Sequence, residues 1–117
     1  MHSVLEFDTF TKRAATRLSR EELDKVITEI AFSPTRGVLI PGTGGVRKIR
    51  VAAGSRGKSG GARVIYYYFD EAHPIQLITV FSKNEKSDLS AKERGDLLKL
   101  TERLKAAWRS RSKEADL

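Results

Sequence analysis

Cysteine is missing from this 117-residue chain, which removes disulfide staples, thiol nucleophiles and thiolate metal sites together. With only His2 and His73, a histidine-based metal centre is nearly excluded as well. No apolar run approaches the ~20 residues needed to cross a bilayer. The first residues, Met1-His2-Ser3-Val4-Leu5, lack the basic stretch and following apolar stretch of a secretory leader. The expectation is a cytoplasmic protein with no metal, no cofactor and no membrane contact.

The most informative absence is of one charge sign. The forty residues between Glu29 and Asp70 contain no carboxylate but seven basic side chains: Arg36, Arg47, Lys48, Arg50, Arg56, Lys58 and Arg63. The chain has 22 Lys and Arg against 15 Asp and Glu, so its entire +7 resides in that segment. Charge concentrated in this way attracts a polyanion, and nucleic acid is the leading candidate.

What is present is ordinary for a globular protein, with 39% hydrophobic and 32% charged residues. The length predicts one domain over 1–117, with a polar tail, 109–117, that frays. Val4-Leu5-Glu6-Phe7 reads as a short strand. Asp8 or Thr9 is expected to cap a first helix carrying Phe10, Ala14, Ala15 and Leu18. Ser19 and Glu22 have the spacing of a capping box, and Leu23, Val26, Ile27, Ile30 and Ala31 form one helical face behind it. Pro34 stops that helix.

The middle of the chain changes period. Val46 to Ala53 alternates, with Arg47, Ile49 and Val51 on one face and Lys48 and Arg50 on the other. Arg63 to Phe69 is the continuous β-branched and aromatic run of a central strand, and Ile75 to Phe81 is a third. Short connections between them favour an antiparallel meander. A last helix begins at Ser90, whose box closes with Glu93, and buries Leu97, Leu100, Leu104 and Trp108. Gly95 weakens it by ~1 kcal/mol relative to Ala.

Lys48 and Arg50 are two residues apart on a strand, which sets their Cα atoms ~6.5–7 Å apart and aims both side chains the same way. That spacing is close to the separation of successive phosphates on one nucleic-acid strand. Gly57-Lys58-Ser59 has a superficial likeness to a phosphate loop, but Ala52 stands where that motif needs Gly, and a strand rather than a helix follows. A hairpin whose Arg56 and Lys58 fold over an RNA backbone is the better reading. Arg63 opens the most apolar strand, so its end must meet solvent or a ligand. The Tyr66-Tyr67-Tyr68 run offers base stacking or core packing. Ser82-Lys83-Asn84-Glu85-Lys86 sets further cations after the last strand, near the edge of the face bearing Lys48 and Arg50. His73, beside Pro74, and His2 read as plain surface.

Three stretches together resemble the RelE superfamily of bacterial toxins, with the closest likeness to its HigB-like branch. They are Ile40-Pro41-Gly42-Thr43-Gly44-Gly45-Val46-Arg47-Lys48-Ile49-Arg50, then Gly57-Lys58-Ser59-Gly60-Gly61-Ala62-Arg63-Val64-Ile65-Tyr66-Tyr67, then Lys83-Asn84-Glu85-Lys86 with Asp88-Leu89-Ser90. The resemblance implies an α+β fold of the microbial ribonuclease type. Its two N-terminal helices pack on a small, mainly antiparallel sheet, and a C-terminal helix follows. It implies an mRNA endoribonuclease acting in the ribosomal A site and held by a co-expressed antitoxin of helix-turn-helix type, through which alone it meets operator DNA. Lys48 and Arg50 match the family's paired basic positions. Arg63 matches the arginine at the scissile phosphate, and Lys83, Asn84 and Lys86 match its post-strand basic stretch. Arg47, Arg56, Lys58, Asn84 and Tyr67 are the expected RNA contacts. Two departures stand out: Ser87-Asp88-Leu89-Ser90 lacks the Tyr or His that some relatives use as base, and Asn84 stands where other members have arginine.

RNA cleavage without metal uses the substrate's own 2′-OH. The expected catalytic set is Lys48 as base, Lys83 or Lys86 next in line, and Arg50 and Arg63 stabilising developing charge. Two alternatives compete with it. One is a non-catalytic basic nucleic-acid-binding module; the other is a degenerate toxin that only binds its antitoxin.

Overall fold

The computed structural model describes residues 1–52 and 61–115. Among the described residues the elements in chain order are β1 (Val4–Glu6), α1 (Asp8–Arg17), α2 (Arg20–Phe32), β2 (Val38–Leu39), β3 (Val46–Val51), β4 (Ala62–Tyr67), β5 (Ile75–Ser82) and α3 (Ala91–Ala115). The strands form one sheet in the order β1-β5-β4-β3-β2. The meander β3-β4-β5 is antiparallel throughout, as expected from its short connections. The sheet as a whole is mixed, because β1 pairs with β5 in parallel, Val4 opposite Ile75. The two-residue strand β2 was not foreseen, being too short to show an alternation.

Every residue of β4 is buried, which is what its unbroken apolar run requires of a strand covered on both faces. On one face Phe10 and Ala14 of α1, Leu18 just past its end, and Val26 and Ile30 of α2 pack against Ile49, Val64, Tyr66 and Leu77. On the other, Leu97 and Trp108 of α3 pack with Val46, Ile65, Tyr67 and Phe81. Both expected capping boxes form, Ser19 with Glu22 and Ser90 with Glu93. The first helix is a correction: Phe7 occupies its N-cap without a side-chain bond, and Asp8 is already inside the first turn. Packing the half-buried Phe7 ring against both cores outweighs the ~1 kcal/mol that a polar cap contributes.

The two histidines are not plain surface either. His73 lies 2.7 Å from the Asp70 carboxylate and stacks on Trp108 with ring centres 4.4 Å apart. His2 Nδ1 is 3.1 Å from the Ala31 carbonyl, and its ring meets Tyr68 edge-on.

The loop between β2 and β3 holds α3 in place. Thr43 Oγ1 donates to Ile40 O at 2.7 Å and accepts from Val46 N–H at 3.1 Å, closing the turn on itself. Thr101 Oγ1 of α3 then donates to Thr43 O at 2.8 Å, and Lys105 Nζ donates to Gly44 O at 2.8 Å. Gly44 sits at φ +75°, and a Cβ there would lie 2.4 Å from Thr101 Oγ1. The glycine-rich run is therefore a footing for α3.

Gly44→Ala should cost about 2–3 kcal/mol, combining the left-handed backbone cost with loss of a buried hydrogen bond. Gly42→Ala has a similar φ of +78° but open space around it, and should cost only the backbone part, about 1–2 kcal/mol. Urea melts followed by circular dichroism measure both; equal losses would mean that the Thr101 contact contributes nothing.

Candidate nucleic-acid interface

The strand register brings three cations together. Arg50 of β3 stands directly opposite Arg63 of β4, and Arg63 stands opposite Phe81 of β5. Lys48, two residues before Arg50, faces the same side and pairs across with Ile65. Arg63 is only 5% exposed, whereas Arg50 is open to solvent. Trp108 and Leu97 of α3 cover Tyr67 and Val46 toward the other end of this face. What meets the cationic end is the segment after β5.

That segment, 82–90, begins with a turn in which Glu85 N–H donates to Ser82 O at 3.0 Å and Lys83 N–H donates to Gly61 O at 3.1 Å. The side chains of Lys83 and Asn84 are exposed. Lys86 Nζ lies 4.9 Å above the centre of the Phe81 ring, a cation–π contact, and also bonds the Glu93 carboxylate. Asp88 Oδ1 sits 3.4 Å from Lys48 Nζ and accepts the Leu89 N–H at 2.8 Å. The Leu89 N–H first, and then Lys48, hold the Asp88 carboxyl below the usual range. Glu93 is pulled down to about 2, chiefly by Lys86 and then by the Ser90 N–H it caps.

The acid-free stretch is acid-free only along the chain. Folding returns carboxylates to it from both flanks: Glu29 pairs with Arg36 at 2.7 Å, and Asp88 with Lys48. A groove of about 590 Å³ lies at the β3 edge of the sheet, bordered by Glu29, Arg36, Val38, Lys48, Ile49 and Arg50.

Of the residues picked out from the sequence, Lys48, Arg50 and Arg63 share one sheet face, and Lys86 reaches its Phe81 row. Arg47 does not join them. It lies on the opposite face, where its guanidinium donates to Thr35 O at 3.0 Å and Gly37 O at 2.8 Å, pinning the loop before β2. Tyr67 is not available for stacking on a base: it is 2% exposed and lies parallel to Trp108 with ring centres 6.2 Å apart. Arg56 and Lys58 lie outside the described residues. Sequence reading missed Asp88 and Glu93 as site carboxylates. The Ser90 box placed Glu93 at a helix start, but nothing local announces that its second oxygen reaches Lys86.

Among the described residues no group of three or more His, Asp or Glu is placed to hold a metal ion, and no helix is long and apolar enough to cross a membrane. The family model described as the RelE toxin of the RelE/RelB toxin–antitoxin system matches residues 3–115. Among solved structures, a doubly arginine-substituted mutant of the E. coli toxin RelE in the free state is similar at a TM-score of 0.56 and 22% identity. The match covers 74% of this chain and 87% of that one.

The Lys86–Glu93 contact makes stability depend on acid. Glu93 is held below its ordinary 4.5 in the folded protein, so its stabilisation is present above about 4.5 and fades as pH falls toward about 2. Urea midpoints of the wild type and Glu93→Gln should be separated at neutral pH and converge across that window. A constant separation would assign the difference to something other than ionisation of Glu93.

Proposed function

Because the chain belongs to the RelE toxin family, we propose that it is the toxin of a toxin–antitoxin pair and a ribosome-dependent endoribonuclease that cuts mRNA. The observation that carries this reading is the cross-strand set Lys48, Arg50 and Arg63, closed over by a segment that brings Lys86 and Asp88 to it. Three cations on a rigid sheet face suit one task in particular: holding a phosphate while negative charge builds on it.

In the proposed reaction the 2′-oxygen of the nucleotide before the cut attacks phosphorus. The O2′–P bond forms, the P–O5′ bond breaks, and the products are a 2′,3′-cyclic phosphate and a free 5′-OH. Arg63, nearly buried, and Arg50 beside it stabilise the phosphorane. The 2′-OH proton passes to Lys48 in its uncharged amine form or to the Asp88 carboxylate beside it, and the ammonium of Lys86 or Lys83 protonates the departing 5′-oxygen. Before RNA arrives, Asp88 and Glu93 occupy two of the lysines. An incoming phosphate competes with these carboxylates for the ammonium groups.

A site assembled mainly from cations stabilises charge well but orders a flexible RNA poorly. Proximity and orientation are then left to whatever presents the message, which fits a dependence on the ribosome. The partners that follow are the ribosomal A site, the mRNA in it and a cognate antitoxin, with operator DNA reached only through the antitoxin.

Arg63→Ala should lower cleavage of translated mRNA about 10²–10³-fold, the range for removing one donor to a developing oxyanion. Folding and antitoxin capture should persist. Primer extension on ribosome-bound message measures it, and cutting at the wild-type level would end the assignment. A non-catalytic binding module would instead lose affinity evenly over the basic residues, with a steep salt dependence. Lys48→Ala and Asp88→Asn distinguish the two proton acceptors: the rising limb of the pH–rate profile should vanish in whichever variant lacks the base.

A further inference from the structure

Glu85 lies between Lys83 and Lys86 in sequence, where it would be expected to neutralise a neighbouring lysine. It turns away from both. Its carboxylate takes a two-pronged contact from Arg17 of α1, with Nε 2.5 Å from Oε1 and Nη2 2.7 Å from Oε2. Arg13, one helical turn earlier, adds Nη2 at 2.6 Å from Oε2. Glu85 Oε1 also accepts the backbone N–H of Ser82 at 2.8 Å, and Arg13 Nε donates to Val80 O at 2.8 Å. One carboxylate thus joins the helix, the end of β5 and the turn that follows it.

We propose that Glu85 is a positioning residue: gripped by Arg13 and Arg17, it sets the turn carrying Lys83 and Lys86, and beyond it Asp88, at the height over the sheet that cutting requires. The proposal rests on the ribonuclease reading above. Three features argue for positioning. The helix end of the clamp is rigid, because Phe10 and Ala14 of α1 and Leu18 at its C-cap are buried in the core. Planar fork-to-carboxylate pairing fixes orientation as well as distance, which a single lysine contact would not. The pairs are also part-exposed, with side chains 18–32% accessible, so they contribute little to global stability. Within 82–86 the turn's own backbone ties are Lys83 N–H to Gly61 O and Glu85 N–H to Ser82 O.

The clamp has an electrostatic consequence too. Arg17 first, then the Ser82 N–H and Arg13, hold the Glu85 carboxyl far below the ordinary carboxylate range, so it remains ionised and attached to α1. The carboxylate nearest in sequence to Lys83 and Lys86 is thereby kept off the reaction face.

The test uses the full-length protein on ribosomes programmed with a defined message. In Glu85→Gln, single-turnover cleavage at saturating toxin should fall about 10–100-fold, the scale of a small misplacement of reacting groups. The half-saturating toxin concentration should stay within about twofold, and the melting temperature should stay close to that of the wild type. Arg17→Gln should show the same split, and the double variant should lose little more, since both remove one contact. Backbone amides of residues 83–86 should exchange faster with solvent in each. Wild-type cleavage by Glu85→Gln overturns the proposal, as does a loss that follows the unfolded fraction or falls on half-saturation. A wild-type toxin that cuts nothing would defeat the ribonuclease reading itself, and that control arm separates the two failures.

Discussion

Two guanidinium groups placed side by side on neighbouring strands are the constraint around which this molecule is arranged. Like charges directly opposite each other in an antiparallel pair are unfavourable by some tenths to about 1 kcal/mol. Arg50 and Arg63 hold that relation because β4, on which Arg63 lies, is buried along its whole length between two helical layers. The sandwich of α1 and α2 on one face and α3 on the other fixes the register, and the register fixes the charges. The site's electrostatics are therefore a product of apolar packing.

Carboxylates complete the arrangement, two of them from parts of the chain distant in sequence. Asp88 lies near Lys48, Glu93 near Lys86 and Glu85 near Arg13 and Arg17. The first two partly neutralise lysines of the candidate site. The third keeps an acid away from it and ties the segment down. Identical residue types do opposite things here, depending on which strand end or helix turn they meet.

Much of this was legible in the sequence. The two capping boxes, the alternation in β3 and the unbroken apolar run of β4 each announce themselves within a few residues, because their causes are local. The parity of β3 even separated Arg47 from Lys48 and Arg50. Charge alone nevertheless made Arg47 an RNA contact, whereas its neighbours' carbonyls claim it. Tyr67 was ambiguous between stacking and core until Trp108, forty-one residues on, was seen to lie against it. The parallel pairing of β1 and the Lys48–Asp88 contact were not legible, since each depends on a partner far along the chain; β2 is too short to show an alternation, and nothing local aims Glu93 at Lys86.

The parallel edge strand has a consequence for the order in which the protein comes into being. Residues 4–6 emerge first from a translating ribosome, yet they pair with residues 75–77, and α1 likewise lies against β5. β1 and α1 thus lack the strand they rest on until β5 has been made. Completion of the sheet is deferred toward the end of synthesis by the topology itself. A nascent chain that already contains Lys48, Arg50 and Arg63 still lacks β5 and the segment bearing Lys86 and Asp88, so the full candidate site forms only once the polypeptide is nearly whole.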